Sequence, residues 1–185
     1  DTQLLITSIL RFAEKNSPSA EIVSVTHDHA LFRYTYSEAF ARSRKLANAL
    51  VALGLDASSS DRVGTLAWND HRHFELYYGV SCSGLVVHTI NPRLFSEQIE
   101  YIINHAEDRV LFVDPAFLPI LECFRHKLST VEHIVVLSDR EHMPESKLDD
   151  LLCHEDLLAA QPDSFLRAME QVKISARLEQ EVQQA

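Results

Sequence analysis

Short apolar runs that alternate with amphipathic segments dominate the middle of this 185-residue chain. Residues 62–67, 85–90, 109–113 and 133–137 are rich in Val, Leu and Ile, and each has the length of a strand. Such runs suit parallel strands that are covered on both faces by helical crossovers. The order strand, helix, strand predicts right-handed crossovers. We therefore expect an α/β fold with an open, mostly parallel sheet.

An N-terminal helix and a β-hairpin are predicted to precede this sheet. Residues 3–15 have apolar side chains on one helical face, which we expect to be buried: Leu5, Ile9, Phe12 and Ala13. Residues 21–26 and 30–35 are strand-like and flank a polar stretch that predicts a solvated hairpin turn, formed by His27, Asp28 and His29.

Capping signals locate the remaining helices. Thr35 and Glu38 have the spacing of a capping box, and Gly54 ends the helix that follows. Asn69 or Asp70 is expected to cap a helix that runs to Gly84, and Ser96 is expected to cap the next one. Further helices are predicted after Pro115 and over residues 147–160.

Composition excludes some classes of partner and favours others. The formal net charge is −10, and no basic stripe is present, which argues against nucleic-acid binding. No apolar run approaches the roughly 18 residues of a membrane span, and residues 4–10 do not read as a signal peptide. Three widely spaced cysteines are typical of reduced, mostly buried thiols in a cytoplasmic protein. The first residue is Asp rather than Met, which favours a piece of a longer chain.

Several histidines and acidic residues are candidate metal ligands by residue type. His71 and His73 would point about 200° apart on a helix, so a shared zinc site is disfavoured. The plainer interpretation is a polar helix start, with His88 as a strand histidine that finds a hydrogen bond. Two acidic pairs are interpreted as a solvated helix face rather than a divalent-cation site: Asp149 with Asp150, and Glu155 with Asp156.

An aromatic group surrounds the turn between the first central strand and its helix: Trp68, Phe74, Tyr77 and Tyr78. It could border an acyl pocket or a subunit contact, and core packing is the plainer interpretation. The chain contains only four glycines, and none begins a phosphate-binding loop. Gly79 and Gly84 have a loop-like interval, but Leu85 and Val86 stand where Lys and Ser or Thr are required. No catalytic, cofactor-binding or metal-binding residue is therefore assigned.

Four short elements resemble the AMP-forming acyl-CoA synthetases, most closely the medium- and long-chain fatty-acyl-CoA ligases. Residues 34–39 (YTYSEA) resemble an early L-T-Y-x-E-L element. Residues 61–63 (DRV) resemble a G-D-R-V strand start in which Ser60 replaces Gly. Residues 83–94 (SGLVVHTINPRL) resemble A-G-A-V-x-x-x-x-N-P-R-L, and residues 101–108 (YIINHAED) continue it. Their order and spacing make the resemblance specific over residues 3–165.

The resemblance implies that residues 1–163 form a partial N-terminal domain of the acyl-CoA synthetase fold, followed by a divergent polar helical tail over residues 164–185. In that family the phosphate loop and the catalytic lysine come later in the chain. The implied parent reaction converts fatty acid, ATP and CoA into acyl-CoA, AMP and pyrophosphate, with Mg²⁺ accompanying the nucleotide. The implied location is the cytoplasm.

Three interpretations of function follow. The chain is an N-terminal fragment of a fatty-acyl-CoA ligase that is inactive alone, or a truncated interaction module that associates with full-length ligase. The third interpretation is an unrelated doubly wound domain that binds a ligand at its strand ends. In the first two cases an apolar face is expected to be exposed, and homo-oligomers could form through it.

Overall fold

A computed structural model of the chain describes residues 5–28 and 31–164. Within them a hairpin pairs β1 (Glu21–Ser24) with β2 (Phe32–Thr35) in antiparallel register. The main sheet has five strands in the order β4-β3-β5-β6-β7. Their bounds are β3 (Arg62–Leu66), β4 (Val86–Thr89), β5 (Asp108–Val113), β6 (His133–Val136) and β7 (Leu152–Cys153). Every neighbouring pair in this sheet is parallel, which confirms the predicted fold class.

Six α-helices of the described residues accompany these strands, and all but α1 cover the two faces of the main sheet. Their bounds are α1 (Ile6–Asn16), α2 (Tyr36–Ala52), α3 (His71–Cys82), α4 (Ser96–Ala106), α5 (Leu118–Phe124) and α6 (His154–Ala159). Alternate residues of β5 serve the two faces: Val110 and Phe112 pack with α2, α3 and α6, and Leu111 and Val113 pack with α4 and α5. Among the described residues, no helix has the length and apolarity needed to cross a bilayer.

The predicted helix starts agree with the structure in most cases. Thr35 and Glu38 form the expected capping box, in which the Thr35 side chain accepts from the Glu38 N–H and Glu38 accepts from the Thr35 N–H. Asp70, and not Asn69, caps α3 by accepting a hydrogen bond from the His73 N–H. The cap predicted at Ser96 is wrong by one residue, because Ser96 is already the first residue of α4.

The buried face predicted for α1 is wrong except at Ala13, which packs against the core. Leu10 is the residue of α1 that is buried, and it packs with Phe40 and Cys82. Leu5, Ile9 and Phe12 face solvent instead. The helix has apolar residues on two sides, and periodicity alone does not tell which side meets the rest of the domain.

The helix predicted over residues 147–160 is also wrong in its first half. Asp150 has a φ of 59°, a left-handed conformation that interrupts a helix. Leu152 and Cys153 then pair with β6 as strand β7, and α6 begins only at His154. Residues 85–90 were expected to form a strand that is covered on both faces. In the structure β4 lies at the edge of the sheet, and Val86 is 43% exposed.

The turn before β3 contains a residue whose backbone suits glycine. Ser60 has φ 53° and ψ 39°, in the left-handed region. This is the position at which Gly stands in the family element that the sequence resembles. Because a side chain in this conformation carries a steric cost, Ser60→Gly is expected to raise the free energy of unfolding by about 0.5–1 kcal/mol.

Urea unfolding measures this change. Ser59→Gly is the matched control, since Ser59 belongs to the preceding 3-10 turn and is not among the positive-φ residues. The control is expected to be neutral or slightly destabilising. If Ser60→Gly lost as much stability as the control, the left-handed conformation of Ser60 would carry no steric cost.

Candidate functional site

Charged side chains converge near the carboxyl ends of β3 and β6, on the side of the sheet that carries α2, α3 and α6. Open α/β sheets bind their ligands at this end. The members form what we call the buried charge network: Asp28, Arg42, Arg72, Glu75, His154 and Glu155. They come from the hairpin turn, α2, α3 and α6.

Arg72 is the centre of this network. Its guanidinium lies 2.6 Å from the Asp28 carboxylate and 2.9 Å from the Glu155 carboxylate, and it also donates to the Leu137 carbonyl oxygen at 3.3 Å. Arg72 is only 1% exposed, and the Asp28 side chain is fully buried. The planar fork of arginine allows one side chain to bind three acceptors.

Arg42 closes the network from α2. It donates two hydrogen bonds to Glu155, each 2.8 Å long, and a third to Glu75 at 2.7 Å. The second oxygen of the fully buried Glu75 lies 3.6 Å from Nε2 of the buried His154. The network therefore ties the hairpin, α2, α3 and α6 to the sheet.

The pKa values of the carboxylates reflect this pairing. Burial alone would raise the pKa of Glu155, but hydrogen bonds and charge from Arg42, together with Arg72 and His154, lower it to about 2. Burial opposes ionisation of Asp28 in the same way, and the hydrogen bonds from Arg72 and Thr26 hold its pKa well below the usual range. Both groups are therefore anionic at neutral pH.

His71 and His73 lie at the start of α3, as expected from the sequence, and both are buried. The His71 ring stacks on Phe32 with centroids 3.9 Å apart, and burial lowers the pKa of His71 to about 4. His73 Nε2 lies 3.1 Å from Thr65 Oγ1, and burial lowers the pKa of His73 as well. The two rings contact different groups.

The Thr65–His73 pair has the composition of a nucleophile and a base, but not the accessibility. Thr65 is 1% exposed and His73 is 5% exposed. A substrate carbonyl would have to reach the hydroxyl for acyl transfer. We therefore interpret this pair as a satisfied core hydrogen bond.

His88 lies where the sequence placed it and finds its hydrogen bond. Its Nδ1 lies 2.8 Å from the carboxylate of Asp108, whose side chain is fully buried. A Cβ atom at Gly64 would approach Asp108 Oδ2 to 2.7 Å. The strand therefore needs glycine at this position to admit the pair.

The aromatic residues around α3 do not form one cluster. Phe74 and Tyr78 pack together at 4.9 Å near Phe40, in agreement with the core interpretation. Trp68 packs against Phe117 at 4.9 Å and stays 46% exposed at the carboxyl end of the sheet. Tyr77 stacks on His73.

In the predicted hairpin turn His27 is exposed, as expected, but Asp28 points inward, and His29 lies outside the described residues. The Asp28 carboxylate lies near Asp139 and His142, and the ligand atoms of the three residues lie within 4.8 Å of one another. Asp28 is already paired with Arg72, and His142 with Asp139 at 2.7 Å. We assign no ion to this group. Glu155 is likewise part of the buried network and does not lie on a solvated face. Asp149 and Asp150 are exposed, as predicted, but they precede α6 and so do not lie on a helix.

Sequence reasoning missed the network because its partners are far apart in the chain. Arg42 and Glu155 are separated by 113 positions. One local signal existed: Arg72 stands in the first turn after a buried strand, in a helix that is covered along most of its length. The cysteines behave largely as expected, with Cys82 and Cys153 buried and Cys123 exposed.

Comparison with known proteins gives the family. The model of the AMP-binding enzyme family matches residues 11–174. A 3-methylmercaptopropionyl-CoA ligase of Ruegeria lacuscaerulensis is 43% identical over 162 residues, which cover 88% of this chain and 30% of that protein. A medium-chain-fatty-acid–CoA ligase of Ectopseudomonas oleovorans is 42% identical, covering 89% of this chain and 30% of that ligase.

Solved structures agree with these relatives. An anthranilate CoA ligase in complex with anthranoyl-AMP matches with a TM-score of 0.69 and 27% identity, covering 84% of this chain and 28% of that chain. A fatty acyl CoA synthetase of Mycobacterium tuberculosis has the same fold, with a TM-score of 0.69 at 21% identity and coverage of 89% and 30%. The chain spans about 30% of the length of the curated relatives, and it corresponds to their N-terminal part. On this evidence the chain belongs to the AMP-binding enzyme family.

Proposed function

We propose that residues 1–163 supply N-terminal scaffold to an AMP-forming fatty-acyl-CoA ligase and do not catalyse alone. The observation that carries this proposal is the 42% identity to a medium-chain-fatty-acid–CoA ligase over 89% of the chain. The parent reaction would join fatty acid and CoA at the expense of ATP, with Mg²⁺ bound to the nucleotide. We propose that this reaction takes place in the cytoplasm. We also propose that residues 164–185 form a polar tail separate from the scaffold.

The geometry supports a scaffolding role. The buried charge network fixes the hairpin and three helices against one face of the sheet, and both of its arginines are paired with carboxylates of the network. The sequence has four glycines and no phosphate loop, so the backbone amides that cradle a nucleotide in this class of enzyme have no counterpart here.

Adenylation is tested by ATP–pyrophosphate exchange. The purified chain with octanoate and Mg²⁺ is expected to give no exchange above the protein-free blank, because no phosphate-binding loop positions the nucleotide. A full-length medium-chain ligase assayed in parallel is the positive control. Exchange that depends on the fatty acid would overturn the proposal that this chain is inactive alone.

A chimera tests the scaffold directly. Residues 1–163 replace the corresponding N-terminal segment of the Ectopseudomonas ligase, and fatty-acid activation is measured. We expect a folded chimera that retains activity within about tenfold, because the segment supplies walls and not reacting groups. A folded chimera without activity would contradict the assignment to this group of ligases.

A second candidate, a non-catalytic module that associates with a full-length ligase, is favoured by exposed aromatic side chains. Phe12, Phe95 and Tyr101 are 69%, 77% and 64% exposed. Exposed apolar groups of this size often mark contact surfaces. Native mass measurement of the chain mixed with a full-length ligase tests this candidate, and homo-oligomers would appear in the same measurement. Separate masses at micromolar concentration would count against it.

A further inference from the structure

The outer edge of β4 is an open strand edge. β4 is the last strand on its side of the main sheet, and it pairs only with β3 in the described part of the chain. Val86, at the start of the strand, is 43% exposed, and Thr89, at its end, is exposed as well. Both ends of this edge are therefore accessible to solvent.

The backbone of β4 has polar groups that point away from the sheet. The N–H of Val86 points toward β3 and donates to the carbonyl oxygen of Asp61 at 3.0 Å. Backbone groups alternate in direction along a strand, so those of Val87 and Thr89 point outward. No strand of the described residues pairs with these outward groups. An extended strand is the partner whose own N–H and C=O groups match them.

The other edge of the main sheet is protected, and the β4 edge is not. β7 has only two residues, and the exposed carboxylates of Asp149 and Asp150 precede it. Short strands and charged side chains are common devices that prevent pairing at a sheet edge. β4 has four residues, and its sequence VVHT contains no Lys, Asp, Glu or Pro. The β4 edge therefore retains the capacity to bind a further strand.

A second copy of the chain fits this edge in an antiparallel register centred on His88. In that register Val87 lies opposite Thr89 of the copy, and Thr89 lies opposite Val87. Because residues in such pairs exchange both backbone hydrogen bonds, the two pairs would provide about four intermolecular bonds. Their β-branched side chains face each other across the strands, which stabilises a sheet. The register uses every outward backbone group of both strands.

The charges along the edge permit this arrangement. The formal net charge of −10 makes the molecule as a whole repel a second copy. At the centre of the edge, however, the carboxylate of Asp108 is fully buried and lies 2.8 Å from His88 Nδ1. This acidic group is turned into the sheet and not toward a partner. The edge therefore favours an uncharged strand, such as its own sequence, over a charged one.

We propose that two copies of the chain associate through the outer edges of β4, which joins their five-stranded sheets into one continuous sheet. The contact is smaller than a standard interface of about 800 Å² per partner, because a four-residue strand forms its centre. The expected dimer is therefore weak and reversible, with a Kd on the order of 100 µM. This pairing concerns only the chain itself and does not rest on the proposed ligase role.

Residue-resolved amide hydrogen exchange at two concentrations tests the pairing. Between roughly 10 and 500 µM chain, exchange at Val87 and Thr89 is expected to slow about threefold, because more of these amides are hydrogen-bonded in the dimer. The amide of His88 points toward β3 and is the internal control, whose exchange should stay unchanged. Sedimentation equilibrium at the same concentrations should show the monomer converting into a dimer.

Two variants disrupt the edge in different ways. Val87→Pro removes an outward N–H that the sheet itself does not use, and Val86→Lys adds a charge to the edge. Each change is expected to raise the Kd at least about tenfold. Val23→Lys is the matched control, because Val23 is a strand valine of similar exposure, 48%, in the separate hairpin. The control should leave the Kd within about twofold of the unmodified value.

Three results would overturn the proposal. The chain could remain monomeric at about 500 µM, where most of it should be dimeric. Val86→Lys could dimerise as well as Val23→Lys, or a dimer could form in which exchange at Val87 and Thr89 does not slow. If circular dichroism shows that Val87→Pro does not fold, Val86→Lys decides alone, since its change lies at an exposed position and keeps every hydrogen bond of the sheet. None of these outcomes affects the ligase-scaffold proposal, which pyrophosphate exchange and the chimera test separately.

Discussion

Replacing Arg72 with methionine is expected to lower the free energy of unfolding by about 3–5 kcal/mol, because the change removes one partner from a buried ion network. Asp28 would keep a fully buried carboxylate without its guanidinium, and the Leu137 carbonyl would lose a donor. Methionine has a similar length and no charge. The loss of stability therefore comes mainly from buried polar groups that are left without a partner, and less from lost side-chain volume. Domains of this size are stable by about 5–15 kcal/mol, so the change removes a large part of the total.

Urea unfolding with a constant slope measures this loss. Arg33→Met is the matched control: Arg33 pairs with Glu21 on the hairpin surface, where both side chains are 51% exposed, and its loss is expected to cost less than about 1 kcal/mol. The double variant Arg72→Met/Asp28→Asn should lose less than the sum of the two single changes, because it removes the stranded charge. If Arg72→Met and Arg33→Met lowered the free energy of unfolding equally, burial of the ion pairs would not determine their contribution to stability.

Acid is expected to destabilise the domain through the same network. The pKa of Glu155 falls from 4.5 to about 2 on folding. A lowered folded-state pKa means that the carboxylate contributes stability above pH 4.5 and loses it as the pH falls toward 2. The linked contribution is on the order of 3 kcal/mol at neutral pH.

A second, earlier loss is expected from His71. Burial lowers the pKa of His71 from 6.5 to about 4. Between these two pH values His71 is therefore protonated in the unfolded chain and neutral in the folded chain. Stability therefore starts to fall below pH 6.5, before Glu155 titrates. Unfolding free energies measured from pH 7 to 3 should show both steps. In Glu155→Gln the loss below pH 4.5 should be smaller while the loss between pH 6.5 and 4 remains; an unchanged profile below pH 4.5 would contradict the assignment to Glu155.

Four of the five strands of the main sheet could be predicted from the sequence, because each of them is marked by a local apolar run, and only β7 has no such run. Residues 110–113 form an unbroken apolar run, and a central parallel strand needs apolar side chains on both faces. Helix caps are equally local, since Thr35 and Glu38 contact each other across three positions. These signals are physical requirements of a few neighbouring residues.

The charge network and the orientation of α1 could not be predicted, because both depend on residues that are distant in the chain. Nothing near Arg72 in the sequence specifies Asp28, which lies 44 positions away. The stretch 147–160 looks helical by composition, but pairing of Leu152 and Cys153 with β6 takes precedence over that preference. The resemblance to acyl-CoA synthetases supplied the family, and it did not supply these contacts.

The position of Glu155 also has a consequence for synthesis on the ribosome. Arg42 and Arg72 are made early, but the carboxylate that both share belongs to α6, near the end of the described chain. In a nascent polypeptide that has not yet emerged past residue 155, both guanidinium groups lack the Glu155 carboxylate as a hydrogen-bond acceptor. We expect the hairpin and the first long helices to become fully stable only when α6 has left the exit tunnel, so a helix translated more than 100 residues later completes the folding of these early elements.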